Sequence, residues 1–436
     1  MLDIYERGYT IPFAGASDSE AISHAIAEAR AMGLYKTVIP RYNKRTGVCR
    51  WILDAPVLVP EHFTLVFDNA EVSFTDNGSI LVMGEERKPA ENIRIFGIGI
   101  ARLTDEGTYG AMMRIAFAKN VRLHDLTFKN RSTRGIFCLG LTDSYLYDLI
   151  FDGEFPPKES KDPDTEEPVL RRKNAGGLML SAGCRNVTVE HIYGKTYGHT
   201  VEISAFSGET ECDTTQDILI RDVRSDCYTF SNVHLVNAEG HLLSNIMIDG
   251  VTDTSKVGSF YRGRASVCIG DTVFGRTPST LGEIRNMTVK NISSRAFAAV
   301  NLIHSVQDIT IADLTIREDG GCGLSCDRTL AYHNIYLCNI KFDDRKTAPY
   351  PIAEVKKPVY IQPPQETDVH FYPYRAVCNM RDIHGGNFKI NGIYANMLDN
   401  VLRITGKNSL EMYDVDVENI VYDDVVGDDC NINEEV

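Results

Sequence analysis

Glu202, His234 and Asp271 are the side chains in this sequence best suited to acid–base chemistry. They lie in three short runs, VEIS (201–204), VHLV (233–236) and SVCIGD (266–271), where large aliphatics alternate with other residues. In a strand, successive side chains leave opposite faces. With Val201 and Ile203 inside, Glu202 points out, and by the same rule His234 lies outside Val233 and Leu235. Neighbouring strands of a sheet are roughly 4.8 Å apart. Stacked runs therefore make Glu202 and His234 neighbours and put Asp271 two rungs, or roughly 10 Å, from Glu202. Two carboxyl groups held roughly 6.5–9.5 Å apart can divide acid and base roles around a water molecule, as inverting glycosidases do. His234 and His199 are expected to tune those carboxyls or to bind hydroxyl groups. In SFYRGR (259–264), Arg262 and Arg264 offer forks for a carboxylate, and Tyr261 a ring that stacks on a sugar. The competing reading of each of these residues is an ordinary solvated surface.

A repeat supplies the strands that such a row needs. Asn or Asp, an apolar residue, any residue, an apolar residue, two more residues and a last apolar residue recur as NIRIFGI (92–98), NVRLHDL (120–126), NVTVEHI (186–192) and DILIRDV (217–223). The pattern continues as NIMIDGV (245–251), NMTVKNI (286–292), DITIADL (308–314), NIYLCNI (334–340), NFKINGI (387–393) and DVDVENI (414–420). A second apolar run, such as GLMLS, TVEIS, NVHLV, SVCIG or AVNLI, precedes most copies. Uninterrupted copies follow one another at about 22–31 residues, a spacing typical of stacked solenoid coils. Alternation with period two marks strands, not helices, and a leading Asn or Asp suits a turn, where stacked amides can form ladders. These features predict an all-β chain, a right-handed parallel β-helix forming one domain over residues 1–436. SDSEAISHAIAEARAMG predicts an N-terminal helix at about 18–33, with Ser17 or Asp18 as its N-cap and Ile22, Ala25, Ile26, Ala29 and Met32 on one face. A solenoid end exposes its core, and this helix is expected to cap it.

Composition narrows the partners. The 436 residues are 43% hydrophobic and 24% charged, with a formal charge of −15. That balance argues against nucleic acid or an anionic membrane as the main partner. No apolar run is long enough for a membrane span. The opening MLDIYERGYTIPF lacks the marks of a secretory signal, and eleven irregularly spaced cysteines read as reduced thiols in the cytoplasm. Cys322 and Cys326 lack a partner pair for zinc, so neither metal nor cofactor is expected. Long stretches at 154–173, 207–216, 252–264 and 272–283 are expected to wall a groove over the row. The Pro- and Tyr-rich 343–384 insertion is expected to act as a lid or to support a homo-oligomer, and the acidic tail 423–436 to fray.

The stretch KNAGGLMLSAGCRNVTVEHIYGKTYGHTVEIS (173–204) resembles the centre of a polygalacturonase of glycoside hydrolase family 28. The coil pattern and helix resemble the wider pectate-lyase-like superfamily over about residues 18–425. The family carries Asn-Thr-Asp and Gly-Asp-Asp where this chain has Asn174-Ala175-Gly176 and Tyr197-Gly198-His199. Its Gly-His-Gly falls on Phe230-Ser231-Asn232 and its Arg-Ile-Lys on Cys268-Ile269-Gly270. The resemblance thus implies a carbohydrate-active scaffold without the family's catalytic aspartates. The expected function is a glycosidase, or related glycosyl transfer, on an oligosaccharide, with acids moved to Glu202 and Asp271. The alternatives are a lyase or epimerase acting on a uronate and a non-catalytic glycan-binding β-helix.

Overall fold

The computed structural model describes residues 9–10, 15–106, 110–130, 134–153, 176–196, 198–227, 231–238, 240–254, 265–270, 282–317, 320–327, 331–343, 376–381, 384–398, 400–405, 411–425 and 430–432. Most of the insertions expected to wall a groove, and residues 344–375 of the long insertion, lie outside this set. The chain divides into two compact units, Met1–Tyr197 and Gly198–Val436. Within each, strands from successive coils pair in parallel. Both are built of coils of right-handed parallel β-helix.

In the first unit, helix Asp18–Ala31 begins at Ser17, whose side chain accepts from the Glu20 N–H at 3.3 Å, while the Glu20 carboxylate accepts from the Ala16 N–H at 2.7 Å. These bonds satisfy amides that a helix start leaves open. Ile22, Ala25, Ile26 and Ala29 are buried, and the helix packs against the strands Lys36–Pro40, Trp51–Leu53 and Pro56–Leu58. Met32, expected on that face, is instead 62% exposed. It is the C-cap, with φ −84° and ψ 0°, so the helical period no longer directs its side chain. Asp18 is buried and joins the helix to the first coil. Its Oδ1 accepts from Arg45 Nη2 at 2.7 Å and from Asn43 Nδ2 at 2.9 Å, and its Oδ2 accepts from the Ile52 N–H at 2.8 Å.

The repeat's leading residue makes the corner. Asn92, Asn120 and Asn186 in the first unit, and Asp217, Asn245, Asn286, Asp308 and Asn334 in the second, all have φ between 52° and 59°. Asn and Asp enter this left-handed region more readily than other side-chain-bearing residues. Their side chains then bond from coil to coil, Asn120 to Asn92 at 2.6 Å, Asn245 to Asp217 at 3.1 Å and Asn334 to Asp308 at 2.6 Å. The alternating aliphatics that follow, such as Ile93, Ile95, Val121 and Leu123, fill the interior.

On the outer face of the first unit the register aligns Phe96, His124, Tyr147 and Glu190. The rings stack with centroids 4.8 Å apart from Phe96 to His124 and 4.5 Å from His124 to Tyr147, close to the rung spacing. Tyr145 donates to Glu190 Oε2 at 2.6 Å. That bond, with burial and the nearby negative charge, pushes the phenol's pKa up to about 12.

Candidate functional site

In the second unit, five short strands, Val201–Ser204, Val233–Val236, Ala265–Ile269, Ala298–Leu302 and Cys322–Asp327, lie in register. Val201, Ile203, Val233, Leu235, Val267, Ile269, Val300, Leu302 and Leu324 are inaccessible to solvent. This fixes the inner face. The opposite face carries Glu202 beside His234, then Cys268, Asn301 and Ser325, one residue per rung. The expected adjacency of Glu202 and His234 is therefore present.

His234 departs from expectation in its surroundings, because only 6% of it is exposed. Alternation reports which side of a sheet a residue leaves from, not how much chain lies over that side. Its Nε2 is 2.7 Å from the Gly270 carbonyl oxygen. A carbonyl can only accept, so Nε2 carries the hydrogen, and in the neutral ring Nδ1 holds a lone pair. That buried Nδ1 has no hydrogen-bond partner among the described residues.

His199 stacks on His234 with centroids 4.0 Å apart and planes 18° apart. Its Nδ1 lies 3.1 Å from Ser231 Oγ. The segment bearing it is fastened on both sides, since the Cys227 thiol donates to the Gly198 carbonyl at 2.8 Å and Thr200 bonds Ser225. Asn232 Nδ2 donates to the Ser225 carbonyl at 3.0 Å, while its buried Oδ1 has no partner among the described residues. Further along the row, Asn301 is 6% exposed and its Oδ1 is likewise without a partner among the described residues.

Gly270 holds the arrangement in place. Its φ is +113°, and a Cβ there would lie 2.7 Å from the Ile303 carbonyl carbon and 2.8 Å from His304 Cβ. Only glycine fits while keeping its carbonyl on His234.

Asp271, Tyr261, Arg262 and Arg264 lie outside the described residues. Ser231, Gly270 and Asn301 were not among the expected site residues. Asn301 could be placed on the outer face by alternation, but a missing hydrogen-bond partner is visible only in three dimensions. Among the described residues no group of three or more His, Cys, Asp or Glu is arranged to hold a metal ion, and no helix is long and apolar enough to cross a membrane. Most described cysteines are buried. Burial, with a contribution from a neighbouring cysteine, pushes the Cys138 and Cys378 thiols well up, which leaves them weak nucleophiles at neutral pH.

No protein-family model matches the chain, and no curated protein sequence does. Its fold is similar to those of several solved structures. The A-module of the Azotobacter vinelandii mannuronan C-5 epimerase AlgE4 is 11% identical, with a TM-score of 0.54 over 94% of this chain and 98% of that one. The AlgE6 A-module from the same organism is 12% identical, with a TM-score of 0.50 over 95% and 99%. A tailspike protein of E. coli bacteriophage HK620, determined in complex with a pentasaccharide, is 10% identical, with a TM-score of 0.59 over 93% of this chain and 75% of that one. At these identities the likeness is one of fold, the parallel β-helix.

Proposed function

We propose that the protein is a carbohydrate-active enzyme acting on an oligosaccharide at the Glu202–His234 row of the second unit. The observation that carries this reading is His234, a buried imidazole fixed through Nε2–H whose Nδ1 has no partner among the described residues, one rung from a carboxyl group. Support also comes from the place of the row in the fold. The sequence resemblance to a hydrolase family, where it is followed, would align that family's functional motifs with His199, Ser231 and Cys268. Two of the similar folds belong to a mannuronan C-5 epimerase and to a tailspike that holds a pentasaccharide.

The first reading is hydrolysis. Glu202, in its acid form, gives its proton to the glycosidic oxygen as the C1–O bond breaks. Water forms the new C1–O bond, and its proton goes to His234 Nδ1. Asp271 directly follows Gly270 in the chain, and we assign it the carboxylate that steadies the imidazolium so formed. A second reading, proton abstraction from a uronate by a lyase or epimerase, is favoured by the same lone pair, because an imidazole with Nδ1 open is a base.

The test is incubation of purified protein with fructan, galacturonan and mannuronan oligosaccharides, with products read by chromatography and ultraviolet absorbance. Shorter saturated products support hydrolysis, and an absorbing unsaturated uronate supports the lyase. Binding without any product would leave a glycan-binding protein, and neither binding nor product would remove the carbohydrate reading.

A further inference from the structure

Resting on the reading that this row holds a glycan, the geometry points to the class of sugar seated on it: we infer a neutral, hydroxyl-rich oligosaccharide extending along the row to Asn301. The row passes from His234 through Cys268 to Asn301, so the two polar ends are two rungs, roughly 10 Å, apart. Both side chains are more than nine-tenths buried, and each keeps one polar atom, His234 Nδ1 and Asn301 Oδ1, without a partner among the described residues. Buried polar groups are almost always satisfied, so two bare ones on one face call for a ligand that satisfies them.

Both atoms are acceptors, so that ligand must donate. Sugar hydroxyls donate. A carboxylate brings only further acceptors, and at these rungs it would meet a row whose described charged member, Glu202, is itself a carboxylate. Neither His234, Cys268, Asn301 nor Ser325 offers the fixed positive charge that a uronate would need. Cys268, between the two acceptors, is buried in a small apolar cluster with Ala265, Ala298, Ile303 and Cys322, so the rung that separates them brings no charge. Asn301 is thus assigned as a specificity-determining residue that binds but does not react.

The experiment is calorimetric titration of the full chain, as wild type and as Glu202→Gln so that binding is read without turnover. The probes are neutral cello-, xylo-, manno- and fructo-oligosaccharides and two acidic ones, oligogalacturonate and oligomannuronate. Asn301→Leu and the milder Asn301→Ser are then compared. The expected result is binding of a neutral probe, weakened about tenfold by Asn301→Leu, with a melting temperature raised above that of wild type. The rise is expected because the substitution removes a bare polar group, and a purely structural Asn would give the opposite shift. A neutral probe that binds equally to wild type and both Asn301 variants would overturn the inference while leaving the proposed function standing. Binding of the acidic probes alone would overturn the neutral class, and binding of none would overturn the proposed function and the inference together.

Discussion

His199 and His234 stack with their ring centroids 4.0 Å apart, although 35 residues of numbering separate them and no sequence motif joins them. The contact uses one face of each ring and leaves the ring edges for hydrogen bonds, His199 toward Ser231 and His234 toward Gly270. His199 therefore acts on His234 by holding its plane. His199→Ala is expected to lower kcat about tenfold, on the order of the 0.5–1.5 kcal/mol that a stacked ring pair contributes. His199→Phe, which restores a ring, should recover most of it. Steady-state kinetics on the two variants, with folding checked by circular dichroism, decides this. Equal losses in both would instead assign His199 a polar role.

Gly270→Ala is expected to harm both stability and turnover. The added Cβ meets backbone of the next coil at 2.7 Å, and φ of +113° is strained for alanine. The loss should be about 1–3 kcal/mol, read as a lower denaturation midpoint. The carbonyl that orients His234 moves with it, so kcat should fall further than the stability change explains. A fully active, equally stable variant would show that the Gly270–His234 bond does not matter.

The repeat was legible because it is written in local chemistry. Alternating aliphatics marked the inner faces at Val201 and Ile203, and the leading Asn and Asp marked corners such as Asn245. Register between coils followed from the same pattern, which is why Glu202 and His234 could be paired in advance. Burial of His234 was not legible, because it depends on what lies over the outer face. Met32 failed for a local reason, the end of the helix one residue earlier. The Asn232 and Asn301 oxygens, without a partner among the described residues, escaped because such an absence is a property of the folded surroundings, and composition does not encode it.

Tyr145 supplies a pH prediction. Its phenol is pushed up to about 12, first by the hydrogen bond to Glu190 and then by burial and negative charge. A raised folded pKa means that the protonated form is the stabilised one. Its contribution is complete below the ordinary phenol value of about 10 and is lost as pH rises through about 12. Ultraviolet difference titration should show a late tyrosine ionisation, and Glu190→Gln should shift that step down. An unchanged titration in Glu190→Gln would reject this cause.

At the opposite end of the first unit, Asp18→Ala should be strongly destabilising. It strips the carboxylate from Arg45, Asn43 and the Ile52 amide together, and breaking a buried pair by removing one partner costs about 3 kcal/mol. Urea denaturation measures it. A change under about 1 kcal/mol would place this cluster with ordinary surface ion pairs.

The most direct test of the whole account is turnover by Glu202→Gln. The side chain leaves the outer face of its strand, away from Val201 and Ile203, so the variant should still fold. Chromatography of the products formed from whichever oligosaccharide the wild type consumes should then show a rate lower by about a hundredfold or more, with binding of the same sugar retained. A Glu202→Gln protein that turns over its substrate at the wild-type rate would contradict the assignment of this row as the reacting site.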